Sequence, residues 1–171
     1  MPAYIAQPCS RLDLRNLAME IRRLLKLENC VYFPVVQLLE LMSELFPAFH
    51  FEVVDNNELS NDVHADTDVA NHLIRIKQSV YDGACNENGR DRMTIAHEIG
   101  HYLLLCVCGV TFQRNFSGGA VPACQDPEWQ AKCFAGELLV PAHLVKGMTA
   151  TEVVKSCSVS PDAARFQLSK T

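Results

Sequence analysis

The sequence predicts an α+β fold of one domain, with helices at both ends and a small antiparallel sheet of about three strands between them. Three observations carry that expectation. Apolar residues follow helical spacing before Pro47 and again after Gly89, they alternate with polar ones only between Phe49 and Lys77, and 171 residues fall within the span of one compact core. With 49% hydrophobic and 20% charged residues, and only 8 Gly and 8 Pro, the chain has enough apolar surface to offset its ordering entropy, which excludes disorder as its main state. We expect a helical part over residues 1–47, the sheet over 48–90, two site-bearing helices over 91–141 and a helical tail over 142–171.

Ser10-Arg-Leu-Asp13 has the form of a capping box with Asp in place of the usual Glu. Leu14, Leu17, Ile21, Leu24 and Leu25 follow at helical spacing, predicting a first helix to about Leu27. Arg15, Arg22, Arg23 and Lys26 fall on what reads as its solvated face. Pro34 suits a first helical turn, and Val35, Val36, Leu38, Leu39, Met42 and Leu45 make a heavily apolar second helix that stops before Pro47. Phe49, Phe51 and Val53 then alternate with His50 and Glu52, and the turn signal Asp55-Asn56-Asn57 follows. Further strands are expected around Val63–Asp66 and Leu73–Lys77, where Ile74 and Ile76 alternate with Arg75 and Lys77. Asp82–Gly89 reads as a loop.

A net charge of −5 gives no overall field to attract nucleic acid or anionic lipid. The longest apolar stretch, Tyr102 to Val110, is far short of the roughly 20 residues that span a bilayer. The first eleven residues have neither a basic start nor an apolar core, so a cytoplasmic protein is expected. None of the eight cysteines forms Cys-x-x-Cys, and in that compartment they should stay reduced. Cys106-x-Cys108 has the spacing to bind a soft metal, but its setting among Leu and Val favours apolar packing.

The strongest signal is His97-Glu98-Ile-Gly-His101 on an apolar helical run. At about 100° per residue the two histidines lie one turn apart on one face, so both imidazoles can reach one Zn²⁺. Glu98 is rotated off that face, placed to accept a proton from water attacking a carbonyl. With 6 His in 171 residues, chance would supply about 0.01 such matches. A catalytic zinc needs a third protein ligand and an open position. Leu104 and Val107 stand where a three-histidine site would require Gly and His, so the third ligand should be a carboxylate from a later helix. Glu128 and Glu137 are nine residues apart, half a turn out of phase, so one of them can face the metal. Ala131 and Ala135 lie near the Glu128 face, and such small residues allow the close helix approach that a shared metal demands, which favours Glu128. Asp126 is its expected N-cap, with Pro127 in the first turn. Glu137 is expected to face solvent or to pair elsewhere.

These segments resemble the ImmA/IrrE family of bacterial zinc metallo-endopeptidases. The resemblance spans Phe33–Glu40, Val63–Lys77, Arg90–His101 and Glu128–Pro141, most of the chain, and the last two segments are specific together. It implies a zincin-like fold of the gluzincin kind, His97, His101 and Glu128 as zinc ligands, and Glu98 as catalytic base. The target it implies is a Xre-type transcriptional repressor encoded beside the enzyme in mobile elements, prophages or stress-response operons. Two residues depart from the family pattern: Lys132 stands where Asn is common and Leu105 where His is frequent. An ammonium at Lys132, near the metal face, bears on substrate charge preference and turnover more than on metal binding.

For the oxyanion, the sequence offers Tyr81, Arg92, Tyr102 and His143, and it does not choose among them. Leu73–Lys77 is a candidate for pairing with an extended substrate, or an ordinary strand of the sheet. Residues 149–168 outline two short helices about Cys157-Ser-Val159, with Ser160 capping at Pro161. From His143 onward the balance is Lys146, Lys155, Arg165 and Lys170 against Glu152 and Asp162, too weak for convincing DNA affinity. The expected function is therefore zinc-dependent endopeptidase, with no membrane and no direct nucleic-acid partner. The alternative is a non-catalytic zinc-binding module that captures a repressor, or regulates DNA through this tail.

Overall fold

The computed structural model describes residues 4–108, 112–114 and 120–171. A short strand β1 (Tyr4–Ala6) pairs antiparallel with β5 (Phe112–Arg114). Helix α1 (Arg11–Leu24) begins at the expected capping box, in which Ser10 accepts from the Asp13 N–H and Asp13 accepts from the Ser10 N–H. It ends about three residues earlier than its apolar spacing suggests. Lys26 turns left-handed (φ 57), and the N–H groups of Leu27 and Lys26 bond back to Arg22 and Arg23 carbonyls at 2.7 and 2.9 Å, a Schellman ending. Helix α2 (Val35–Leu45) follows the predicted span, with Val35, Leu39 and Met42 fully buried.

The sheet is built from β2 (His50–Val54), β3 (Ala65–Asp68) and β4 (Leu73–Lys77) in the order β2-β4-β3. It is mixed, which corrects the antiparallel expectation: β4 runs antiparallel to β3 but parallel to β2, with Phe51 opposite Ile74 and Val53 opposite Ile76. The cause is the route of the chain. After β2 it travels to the outer position, and a tight turn then folds β4 back between β3 and β2. In that turn Asp68 accepts from the Asn71 N–H at 3.1 Å and His72 is left-handed (φ 54). The strand expected around Val63–Asp66 lies slightly later, at Ala65–Asp68. Much of the segment expected as a loop over 82–89 is also structured: helix α3 (Gln78–Cys85) leads directly out of β4.

Helix α4 (Gly89–Tyr102) crosses the middle of the molecule and runs on as a π-helical turn over Leu103–Val107. Its Ile95, Ala96 and Ile99 are fully buried in one hydrophobic cluster with Phe33, Leu39, Ile74, Ile76, Phe134 and Leu138. Helix α5 (Pro127–Leu139) packs along α4, and the short α6 (Ala142–Val145) follows it. The tail forms α7 (Ala150–Cys157) and α8 (Pro161–Leu168), as expected from their caps. Thr149 and Glu152 close a capping box, Ser158 is left-handed (φ 52), and Ser160 accepts from the Ala163 N–H. The pair is not a free appendage, because Val153, Cys157, Val159 and Ala164 are buried in the same cluster. A Cβ at Gly89 would lie 2.4 Å from the Val159 carbonyl carbon, so the turn between α7 and α8 rests directly on the start of α4. No helix among the described residues is long and apolar enough to cross a membrane.

Arg22 overturns its assignment to the solvated face of α1, since it is fully buried. Its Nε and Nη2 donate to the Leu138 carbonyl at 2.9 and 2.6 Å, and its other N–H groups reach the carbonyls of Leu27, Cys30 and Val31. The guanidinium stacks 5.1 Å from the Phe33 ring centroid. Burial pushes its pKa down to about 10, so it stays charged at neutral pH while satisfying carbonyls at the ends of α1 and α5. Arg22→Met, which keeps the volume and removes the donors, should cost about 3 kcal/mol or more in urea unfolding, because several buried carbonyls lose their partners at once. A loss below about 1 kcal/mol would show that water or a rearrangement replaces the guanidinium.

Candidate metal centre

Helix α4 is started by Asn88, whose side chain accepts from the N–H groups of Arg90 and Asp91. With the apolar side of the helix locked in the core, His97 and His101 emerge one turn apart with only 23% and 14% of their side chains exposed. Helix α5 is started as expected by Asp126, which accepts from the Glu128 N–H at 3.0 Å, with Pro127 in its first turn. That cap places Glu128 at the end of α5 that meets the two histidines.

The three side chains named from the sequence come together: their ligand atoms all lie within 4.8 Å of one another. His97 Nε2 is 3.0 Å from His101 Nε2 and 3.2 Å from Glu128 Oε2, and His101 Nε2 is 3.2 Å from Glu128 Oε1. The imidazole rings stand nearly perpendicular, at 88°, with centroids 4.5 Å apart. These spacings are close to the roughly 3.3 Å edge of a tetrahedron of ligands held about 2.0–2.1 Å from one ion. The donor set thus fits a small divalent cation. Glu128 leaves 72% of its side chain exposed, so the centre opens to solvent on that side.

Hydrogen bonds from His101 and then His97 hold the Glu128 carboxyl well below the usual carboxylate range. Burial works against charge on His101, but its hydrogen bond to Glu128 and the charges of Glu128 and Glu98 outweigh this and raise its pKa above 6.5. Glu98 lies on the adjoining side of α4, mostly buried, and the Thr67 hydroxyl of β3 donates to its Oε2 at 2.7 Å. The structure thereby ties the edge of the sheet to the expected base.

The approach of the two helices is set by small residues. Ala131 and Ala135 are fully buried, as their proposed role requires. Opposite them is Gly100, where a Cβ would sit 2.9 Å from Phe134 Cδ1 and 3.2 Å from the Ala131 carbonyl oxygen. Glu137, on the far side of α5, pairs elsewhere rather than facing solvent: it is buried and accepts from Arg11 Nη1 and Arg15 Nε, both at 2.8 Å. Arg15 therefore also leaves the solvated set.

The four oxyanion candidates are engaged with partners outside the cluster. The Tyr81 hydroxyl donates to Glu40, Arg92 donates to Tyr32 Oη and to the Phe33 and Ser158 carbonyls, Tyr102 Oη is 3.2 Å from His72 Nδ1, and His143 Nε2 is 2.9 Å from the Glu28 carbonyl. Cys106 packs partly buried against the core, where desolvation pushes its thiol pKa up, while Cys108 is exposed. Lys132 is exposed and lines a cavity beside the centre. Two residues that matter here, Thr67 and Gly100, escape sequence reasoning. Gly100 had a signal in hindsight, because it lies on the helix that must approach Ala131.

No protein-family model matches the chain, and no curated protein sequence does. Among solved structures, a Mycobacterium tuberculosis transcriptional regulator is similar over 92% of this chain, with a TM-score of 0.63 at 18% identity. This chain spans 46% of that one's length. At such identity the likeness is one of fold.

Two outcomes follow from this geometry. Gly100→Val should push α4 from α5, costing about 1–3 kcal/mol and lowering zinc stoichiometry together; unchanged stability and full zinc loading would show that the contact does not set the centre. The second concerns pH. A raised His101 pKa means the metal-free ring keeps its proton above 6.5, whereas a metal ligand must be neutral. Zinc affinity, followed by equilibrium dialysis, should be level above the raised value and fall roughly tenfold per pH unit below it. An affinity that stays level from about pH 8 to pH 5 would contradict His101 as a ligand.

Proposed function

We propose that the chain is a zinc-dependent endopeptidase that hydrolyses a peptide bond in a protein substrate, with a Xre-type transcriptional repressor as target and the cytoplasm as its setting. The observation that carries this reading is the convergence of His97, His101 and Glu128 beside a carboxylate, Glu98, that a second element holds in place. The first three would hold Zn²⁺, since two imidazoles and one carboxylate are the donor set of open zinc sites. Bound zinc supplies a Lewis acid that polarises the scissile carbonyl and acidifies water. Glu98 takes the proton from the attacking water and passes it to the leaving amine. The Thr67 hydroxyl occupies Oε2 of Glu98, leaving Oε1 for that proton.

The substrate strand is not met by β4, which is central in the sheet. Both β2 and β3 have an outer edge that carries no partner strand among the described residues, and of the two it is β3 that Thr67 ties to Glu98. An extended peptide added to β3 would run beside the centre with its backbone N–H and C=O groups paired. The helix of His97 and His101 packed under a small sheet, with that edge above it, supports the zincin-like reading of the fold.

The rival reading keeps the zinc and removes the cut, leaving a module that captures a repressor or acts on DNA. The similar solved structure is called a transcriptional regulator, which fits transcription control without separating cutting from capture. DNA regulation through α7 and α8 is less well supported. One side of the pair is buried in the core, and Arg165 is already tied to Asp162.

Elemental analysis after zinc loading and desalting should find about one zinc per chain, lost in His97→Ala and Glu128→Ala. Glu98→Gln should retain the zinc and lower cleavage of a random peptide library by about 10²–10⁴-fold. Zinc retained with no cleavage by the wild type would leave the capture reading in possession.

A further inference from the structure

A cavity of about 530 Å³ lies among α4, α5, α8 and Arg11 of α1, and it is not used by the chemistry above. Along α4 and α5 its lining comes within one helical turn of the three donors. Met93 precedes His97 by four residues on α4, while Trp129 and Lys132 follow Glu128 on α5. Helix α8 closes the far side with Ala163 and Phe166, and Phe166 remains 51% exposed. The volume lies in the range of ligand pockets, roughly 300–1,000 Å³, and apolar side chains dominate the lining.

The cavity carries charges of both signs, and among the described residues only Lys132 of them has no partner. Arg11 is committed to Glu137 and Gln167 and sits over the rings of Trp129 and Phe166. Asp162 is paired with Arg165. Lys132 has no hydrogen bond or ion pair among the described residues and is exposed one turn from Glu128. An unpaired ammonium at an open rim attracts a carboxylate, and in a chain of net charge −5 that attraction is local and not carried by the overall field.

We propose that the cavity is a specificity pocket that takes a large apolar side chain of the substrate, and that Lys132 at its rim selects an acidic residue beside it. The proposal rests on the peptidase reading for the position of the scissile bond. An extended peptide advances about 3.3 Å per residue, so a bond held at His97, His101 and Glu128 puts a side chain one or two residues away over the groove between α4 and α5. The C-terminal helices then have a role that needs no DNA: α8 is a wall of the substrate cleft.

Trp129 is the single tryptophan of the chain and lies in the cavity, so its emission reports occupancy. The probe is a set of capped hexapeptides that differ only at their centre, Phe-Glu, Phe-Lys or Ala-Glu, titrated into zinc-loaded Glu98→Gln protein. Phe-Glu should bind and shift the emission. Phe-Lys should bind about two- to fivefold more weakly, as expected for an exposed charge pair. Ala-Glu should bind at least about tenfold more weakly, having lost the apolar side chain. Lys132→Glu should reverse the order of Phe-Glu and Phe-Lys, and Ala163→Phe should remove the preference for Phe over Ala, both with zinc content unchanged. The same peptides are offered to the wild type, with products read by mass spectrometry. The predicted order, reversed by Lys132→Glu, upholds the pocket; if the wild type then fails to cut, it is the peptidase reading that falls. No binding, equal binding of the three peptides, or an order indifferent to Lys132→Glu overturns the pocket even if the wild type cuts them.

Discussion

The candidate centre depends on how closely α4 and α5 approach at Gly100 and Ala131. The donors come from both helices, two from the middle of α4 and one from the first turn of α5, and convergence within 4.8 Å tolerates little slack. Any side chain larger than hydrogen at Gly100 meets Phe134 and the Ala131 backbone. Glycine in a helix interior costs roughly 1 kcal/mol against alanine, so its presence here exchanges local propensity for interhelical contact. The same contact brings Phe134 into the core, so the site and the hydrophobic cluster are one packing problem.

Helix α5 is fixed along its length by polar contacts. Gln130 donates to the Gln7 and Cys124 carbonyls, Arg11 and Arg15 hold Glu137, and Arg22 holds the Leu138 carbonyl near its end. Burying a carboxylate and a guanidinium carries a desolvation cost that apolar residues would avoid. What the polar contacts supply is register. Apolar faces slide by a turn at modest cost, whereas a buried Glu137 between two arginines and a guanidinium on one carbonyl match in a single alignment. A helix held at these points presents Glu128 at a defined height against His97 and His101.

What was legible in the sequence divides along the same line. Helix periodicity, the caps at Ser10, Asp126 and Ser160, and the spacing of His97, Glu98 and His101 are local, and the structure carries them with boundaries shifted by a few residues. The choice of Glu128 over Glu137 was also available, because small residues on one face imply a close neighbour. Strand order was not. Alternation at Phe51, Ile74 and Ile76 identifies strands but does not say that β4 inserts between β2 and β3. In the sequence Arg22 is indistinguishable from its neighbours Arg23 and Lys26, which are the same kind of residue. Only the Schellman ending of α1, which turns the Leu27, Cys30 and Val31 carbonyls toward one point, distinguishes it. Thr67 gave no signal, since a threonine in a strand is ordinary until a carboxylate from another element lies opposite.

Electrostatics connects these features to the chemistry. Two carboxylates, Glu98 and Glu128, are gathered around a pair of imidazoles whose Nε2 atoms are 3.0 Å apart. A neutral pair can share one hydrogen bond at that distance, with one ring as the Nε2–H tautomer, but the accepting Nε2 then also turns its lone pair toward Glu128, so a positive charge among the three groups suits them better. A proton is one solution, and the hydrogen bond to Glu128 that raises the His101 pKa against burial favours it there. A divalent cation is the other, and it satisfies all three donors at once where a proton satisfies one hydrogen bond. Glu98 is held outside this competition by Thr67, which donates to its Oε2 and leaves the other oxygen available. The fold thus gives the two carboxylates different settings, Glu128 at an open helix start against both imidazoles and Glu98 beneath a strand with one oxygen held by Thr67.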